Sequence, residues 1–505
     1  MSGVVRLPGE LRDFLELPGP QTLLIRGAPG SGKTTLSLAL LEAFRGEKIL
    51  LTSRVPGREL HREFAWLGDN HGRSITLIDT SEMDETVQDV ARVMRHAREV
   101  LAAPRGADRD SSQFLWLPPP LQDAWARLSP TAPTLVIVDS WDALIESFLG
   151  EPTDPNDLVP DRAHLERLLI RRMSRAPAHL VFVLEREEQT SLDYLVNGVV
   201  VTRRETSQDR LARWMTLHKL RGVRIGNPVY PFTLEGGRFE SILPVRPYAT
   251  MRSGPPDAEV DAMPGHIWPG ARPFAENFGR LPFGKITLLE TDEQASSRVA
   301  ELLIAPMMSH VLRSGGHVLL IPHSSDTPED IFASLNGAVP EERFLQGMRL
   351  VIPPGPVPAG KERLWHVVAP MGRRDGDGAS GGLTGSDALR FLHDGASDRS
   401  PSLLVVSLQG LGAVARSTGI PMDQLASAQL PESLVGAVRG HPMHAVVIGR
   451  DDSGLLDPLR AIATIRLTLT IRQGRIFLHG VAPWTPNFVL ADGSEGRPYE
   501  LLRVV

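Results

Sequence analysis

Gly27-Ala28-Pro29-Gly30-Ser31-Gly32-Lys33-Thr34 fits the pattern G-x-x-x-x-G-K-[ST], whose curled backbone presents successive N–H groups to a polyphosphate. The glycines permit the curl, and a helix that begins inside the loop adds the positive end of its dipole. In such a loop Gly27, Ala28, Pro29, Gly30, Ser31, Gly32, Lys33, Thr34 and Thr35 line the ligand. Lys33 reaches the β and γ phosphates, and Thr34 offers its hydroxyl to Mg2+. The chemistry implied is the binding of Mg-ATP. The bland alternative is a glycine-rich turn that happens to hold a lysine. The apolar run Thr22-Leu23-Leu24-Ile25 before the loop and the helical pattern over 36–44 after it supply the strand and helix that the motif requires.

A second chemical residue stands at the end of Thr134-Leu135-Val136-Ile137-Val138-Asp139. The C-terminal edge of a parallel sheet faces the ligand crevice, so Asp139 is expected to join Thr34 in holding Mg2+. A carboxylate there also suits the cap of a helix starting near Trp141.

The elements that must position these groups read as alternating short apolar strands and helices. Strands are expected at 49–52, 75–78 and 180–184. A helix carries Leu60, Phe64 and Leu67, others cover 83–101, 121–128 and 164–173, and 104–112 reads as a surface loop. That alternation predicts a parallel sheet covered on both faces. The segments 198–201, 213–220 and 228–239 read as an antiparallel tail.

At 505 residues the chain exceeds one ordinary core. Hydrophobic residues make up 42% and charged residues 23%, the balance of a globular protein. A net charge of -6 argues against a chain built to coat DNA or anionic membrane. The absence of cysteine excludes disulfides, thiolate metal sites and a cysteine nucleophile. With no secretory signal and no run of 18 uncharged apolar residues, a cytoplasmic location is the expectation.

The element order, with Asp139-Ser140 after an apolar strand and the later Lys219-Leu220-Arg221-Gly222 and Pro231-Phe232-Thr233-Leu234, resembles KaiC-like ATPases of the RecA superfamily over 5–245. Within that superfamily the chain is similar to the archaeal gas-vesicle regulator GvpD family. Leu7-Pro8, Phe14-Leu15-Glu16-Leu17-Pro18-Gly19-Pro20, Thr52-Ser53-Arg54-Val55 and Asp139-Ser140-Trp141-Asp142-Ala143-Leu144 carry the likeness. The resemblance implies a homo-oligomer in which Lys219 and Arg221 reach a neighbour's γ phosphate; otherwise they are a basic pair on a solvated strand. It also implies an ATP-binding regulator acting through a protein partner, a transcriptional activator being one candidate. KaiC-like ATPases usually carry a glutamate pair after the second strand, where this chain has Ser53-Arg54. Hydrolysis is then expected to be slow or to use another acid, with Glu185 and Glu188 as the alternatives at the correct sheet edge and Glu59 an exposed helix residue.

The second half repeats the first in coarse form. Strands at 283–289, 317–321, 402–407 and 445–448 and a helix at 296–312 line up with their counterparts, but Ser297 replaces Lys33 and Ser407 replaces Asp139. Glu290, Asp292 and Glu293 are expected to repel polyphosphate there. The fold class expected is α/β: two tandem RecA/KaiC-like P-loop domains with parallel central sheets, the second degenerate. Their boundaries are placed at 1–245 and 281–505, with a proline-rich linker over 246–280. The insertions 353–361 and 372–386 read as surface loops.

Basic clusters at Arg171, Arg172 and Arg175 and at Arg203-Arg204 suit solvated faces, DNA phosphates or an acidic partner. His441 and His444 lack a third metal ligand in sequence, and Trp141, Trp214, Trp365 and Trp484 read as core or interface residues. The leading function is therefore a nucleotide-binding regulator. The rivals are a recombinase-like DNA-dependent ATPase, disfavoured by the acidic segment 151–161, and a structural adaptor whose loop only stabilises the fold.

Overall fold

A computed structural model describes residues 7–64, 75–79, 119–128, 132–149, 162, 166–167, 170, 178–243, 257–258, 263–293, 297–335, 338–352, 365–367, 386–397, 399–419, 429–450, 454–493 and 497–505. The expected elements at 83–101 and 104–112, the acidic segment 151–161, the arginines at 171, 172 and 175, the insertion 353–361 and all but Ser386 of the insertion 372–386 lie outside these. The chain divides into two compact units, Met1–Ile242 with Val504–Val505, and Leu243–Arg503.

The first unit is built on a nine-stranded sheet. Its strands are β1 (Thr22–Arg26), β2 (Glu47–Thr52), β3 (Ile75–Asp79), β4 (Thr134–Asp139), β5 (Ala178–Leu184), β6 (Gly198–Ser207), β7 (Arg210–Leu220), β8 (Val229–Thr233) and β9 (Glu240–Ser241). They lie in the order β3-β2-β4-β5-β1-β6-β7-β8-β9. The pairs from β3 through β6 are parallel and those beyond are antiparallel. Side chains of the parallel strands alternate between two cores. Leu24, Leu51, Val138 and Phe182 pack with Trp141 and Ile145 on one face. Leu23, Leu50, Ile137 and Val183 pack with Leu36 and Leu40 on the other. The helix Lys33–Ala43 is buried on nearly every side, so it must leave the sheet edge in one fixed direction.

The second unit holds β10 (His266–Ile267) paired with β11 (Leu281–Pro282), and a ten-stranded sheet. The latter contains β12 (Lys285–Thr291), β13 (Val318–Ile321), β14 (Met348–Ile352), β15 (Trp365–Val367), β16 (Ser402–Ser407), β17 (Met443–Gly449), β18 (Ile465–Arg472), β19 (Arg475–Ala482), β20 (Phe488–Asp492) and β21 (Tyr499–Arg503). Their order is β15-β14-β13-β16-β17-β12-β18-β19-β20-β21. With β12 set against β1, this is the strand order of the first unit with one added edge strand. The α/β class with two large mixed sheets and parallel cores agrees with the sequence expectation.

The stretch 246–280 contains more than a connection. The helix Arg272–Phe278 starts with Pro273 in its first turn, where a missing N–H costs nothing, and buries Phe274 and Phe278. Among the described residues, no helix is long and apolar enough to cross a membrane.

Candidate nucleotide site

The loop after β1 is held from beneath. A Cβ added to Gly27 would stand 2.3 Å from the Thr202 backbone oxygen, so only glycine fits where the loop crosses β6. Ser31, fully buried, places its Oγ 2.8 Å from the Thr202 Oγ1, and its N–H donates to the Ala28 carbonyl at 3.1 Å. Gly30 and Gly32 take φ of 73° and 98°, the left-handed region that turns the backbone inward. Pro29 and Gly30 are exposed at the rim, while Thr35 is buried and Ala28 and Thr34 are half-buried. Lys33 folds its ammonium across the loop to donate to the Ala28 carbonyl at 2.8 Å.

Asp139, the last residue of β4, stands beside the start of the helix that carries Lys33 and Thr34. Burial pushes its carboxyl above the usual range, and the nearby Thr34 hydroxyl and Lys33 charge only partly offset this. Burial likewise pushes the Lys33 ammonium below its ordinary value, against the pull of Glu185, Asp139 and Asp142. A desolvated ammonium folded back onto its own loop and a desolvated carboxylate near the Thr34 hydroxyl are what a phosphate and a divalent cation would satisfy. The residues present therefore fit Mg-ATP: 27–35 for the phosphates, Thr34 and Asp139 for the metal.

The expected catalytic carboxylates separate. Leu184 is level with Arg26, and β5 lies between β1 and β4, so Glu185 leaves the sheet between the loop and Asp139. Its side chain is paired with Arg54. Glu188 is exposed further along the turn, and Glu59 is exposed on the helix Gly57–Glu63. Lys219 pairs with Val199, itself level with Leu24, and its ammonium donates to the Asp193 and Val196 carbonyls at 2.9 and 2.6 Å. In this structure it serves its own chain. Arg221 is exposed, with its N–H donating to the Asn197 carbonyl at 3.0 Å.

Several residues reach the site without a local sequence signal. Arg213, buried on β7, donates to the Gly30 carbonyl at 2.8 Å. Arg204 faces it across the ladder, 3.9 Å from where a Cβ on Gly30 would sit. Ser53 donates to the Ser140 carbonyl at 2.8 Å and accepts its N–H at 2.9 Å, which ties the β2 turn to Asp139-Ser140. Asp142, buried, accepts the Glu185 N–H at 2.9 Å and pairs with Arg162 and Arg186. Strand and helix periodicity cannot reveal these pairings, since each joins distant segments.

The matching edge of the second unit is built differently. Glu290 is paired with Arg460 at 2.5 Å and Arg466 at 3.4 Å, and Asp292 accepts the Ile471 N–H at 2.8 Å. Two of the three acids expected to repel a polyphosphate are thus engaged by their own chain, and only Glu293 is exposed. What distinguishes this edge is the exchange of Lys33 and Asp139 for serines, with the Ser407 Oγ accepting the Gly410 N–H as a helix cap. The two units also carry a matched pair of opposite polarity. Arg26 at the end of β1 meets Asp193 at 3.2 Å on the helix after β5. Glu290, near the end of β12, meets Arg460 on the helix after β17. His444, which the sequence offered as half of a metal pair, is fully buried. Its Nδ1–H donates to the Pro282 carbonyl at 2.7 Å, which leaves Nε2 to accept from the Thr287 hydroxyl at 2.8 Å.

Loop, lysine, hydroxyl and strand-end acid on one parallel edge define a P-loop α/β protein, an architecture whose loop receives nucleotide phosphates. Over about two-thirds of its length the chain is a distant homologue of two proteins of Halobacterium salinarum. GvpD2 is 26% identical over 355 residues, covering 67% of this chain and 66% of that protein. GvpD1 is 28% identical over 350 residues, covering 68% and 61%. The match spans a little under two-thirds of the length of each. No family model matches. Among solved structures, the KaiC-like protein PH0186 of Pyrococcus horikoshii OT3 is similar at 16% identity, covering 45% of this chain and 91% of that one, with a TM-score of 0.30.

Proposed function

We propose that the first unit binds one Mg-ATP and that the chain is a regulator, of the gas-vesicle type, which uses nucleotide occupancy to control a protein partner such as a transcriptional activator. The observation that carries the binding reading is the loop itself, with Gly30 and Gly32 in the left-handed region, Ser31 anchored on Thr202 and Lys33 folded across it at one sheet edge. Lys33 and the loop N–H groups hold the phosphates, Thr34 and Asp139 hold the metal, and Glu185 is the carboxylate best placed to orient water if ATP is turned over slowly. The second unit, with serines in place of Lys33 and Asp139, is assigned to assembly or partner binding without nucleotide. In a homo-oligomer in the cytoplasm, Arg221 is the exposed member of the Lys219–Arg221 pair that a neighbour would meet. The DNA-dependent alternative is disfavoured by the net charge of -6 and the acidic segment 151–161. Titration of an ATP analogue with Mg2+ into the wild type and Lys33→Ala tests the reading; unchanged affinity in the variant eliminates the site.

A further inference from the structure

The turns after β2 and β5 meet beside the phosphate loop, and their charged tips face each other. Thr52 is level with Asp139, and Ser53 is bonded to Ser140 in both directions. The root of Arg54 is therefore fixed next to the metal acid. Its guanidinium is not: Arg54 is 49% exposed and its partner Glu185 23%. Glu185 is in turn rooted by its N–H on Asp142, with its charge felt by both Lys33 and Asp139. An ion pair this exposed is weakly held. A guanidinium meets phosphate oxygens through two parallel N–H bonds, and a terminal phosphate carries more charge than one carboxylate.

We propose that Arg54 is the residue that distinguishes a nucleoside triphosphate from a diphosphate in this site, exchanging Glu185 for the terminal phosphate. The proposal rests on the nucleotide reading above. In the resting protein Arg54 and Glu185 neutralise each other. With a third phosphate present Arg54 turns to it, Glu185 is released toward the same phosphate, and the two turns carrying them part. A diphosphate leaves the pair closed. Arg54 thus reads the ligand from the position where KaiC-like ATPases usually place an acid.

The test compares dissociation constants for ADP and an imido analogue of ATP, both with Mg2+, on the full chain. Arg54→Ala is expected to cut the preference for the triphosphate by about tenfold, as loss of a charge-assisted phosphate contact should, with ADP binding little changed. Glu185→Gln, which frees Arg54 in advance, is expected to tighten the triphosphate severalfold more than it tightens ADP. Equal weakening of both ligands by Arg54→Ala, or a weaker triphosphate in Glu185→Gln, overturns the proposal while leaving the nucleotide site intact. Failure of the wild type to bind either ligand overturns both.

Discussion

Arg26 and Asp193 form a buried ion pair at 3.2 Å, with side chains 8% and 9% exposed. Arg26 also donates to the Glu187 carbonyl, so the pair pins the turn that carries Glu185. Asp193→Asn is the cleanest perturbation. The amide oxygen can still accept from the Thr190 N–H and hydroxyl, which Asp193 now serves at 3.0 and 3.1 Å. The other carboxylate oxygen, which accepts from the Arg26 Nε–H, becomes an amide N–H donor, so Arg26 is left buried with neither counter-ion nor acceptor at that point. Removing one partner of a buried pair costs about 3–5 kcal/mol, and the surviving Thr190 contacts favour the lower end, about 3 kcal/mol. At about 2.1 cal/mol/K per residue, the first unit unfolds with an entropy of about 0.5 kcal/mol/K, so its Tm should fall by about 6 °C. Hydrogen exchange of the β5 peptide, read against temperature, reports on this unit separately from the other. Arg26→Met combined with Asp193→Asn removes both charges and should recover more than half of the loss. A shift below about 2 °C for the single variant, or a double variant no more stable than it, would refute the reasoning.

Gly27→Ala places a methyl 2.3 Å from a backbone oxygen of β6. It should cost about 1–3 kcal/mol by urea unfolding and weaken nucleotide binding at least about tenfold as the loop shifts, since misplaced positioning groups lose affinity steeply. Asp139→Asn should have opposite effects on stability and function. Burial raises the Asp139 pKa, so the stability held by its proton is present below the usual carboxylate range and lost as pH rises through the raised value. The asparagine escapes that loss, and the ligand-free protein should melt higher at neutral pH while the Mg2+ dependence of nucleotide binding disappears. In the second unit, burial holds the His444 pKa down to about 4. The stability this gives is present above its ordinary value of about 6.5 and lost as pH falls through about 4, amounting to about 3 kcal/mol. Urea midpoints measured from pH 7 to 4 should show the loss, and His444→Gln should flatten it.

The phosphate loop and Asp139 were legible because each lies in a short, self-sufficient run: strand, glycines, lysine and helix start in the one, apolar strand and terminal acid in the other. The duplicated strand order was legible in outline because strands buried on both faces read as apolar runs whatever surrounds them. What escaped depends on the sheet order. Arg54 and Glu185 are 131 positions apart and Arg213 and Gly30 are 183 apart, so neither pairing leaves a periodic trace. The pairing of Glu290 escaped for the same reason, because Arg460 and Arg466, which neutralise it, come from later elements. The helix Arg272–Phe278 was hidden by prolines that read as a connection, although Pro273 falls where a helix tolerates one.

The opposite polarity of the two strand-end pairs bears on how a chain with two copies of one topology folds without mixing them. Tandem copies risk exchanging equivalent segments during folding. An exchanged β1 would set Arg26 against Arg460, and an exchanged β12 would set Glu290 against Asp193, each time two like charges at close range. Inverted signs would therefore disfavour such an exchange, and a chimera with uniform polarity is expected to misassemble more often on refolding than the natural chain does.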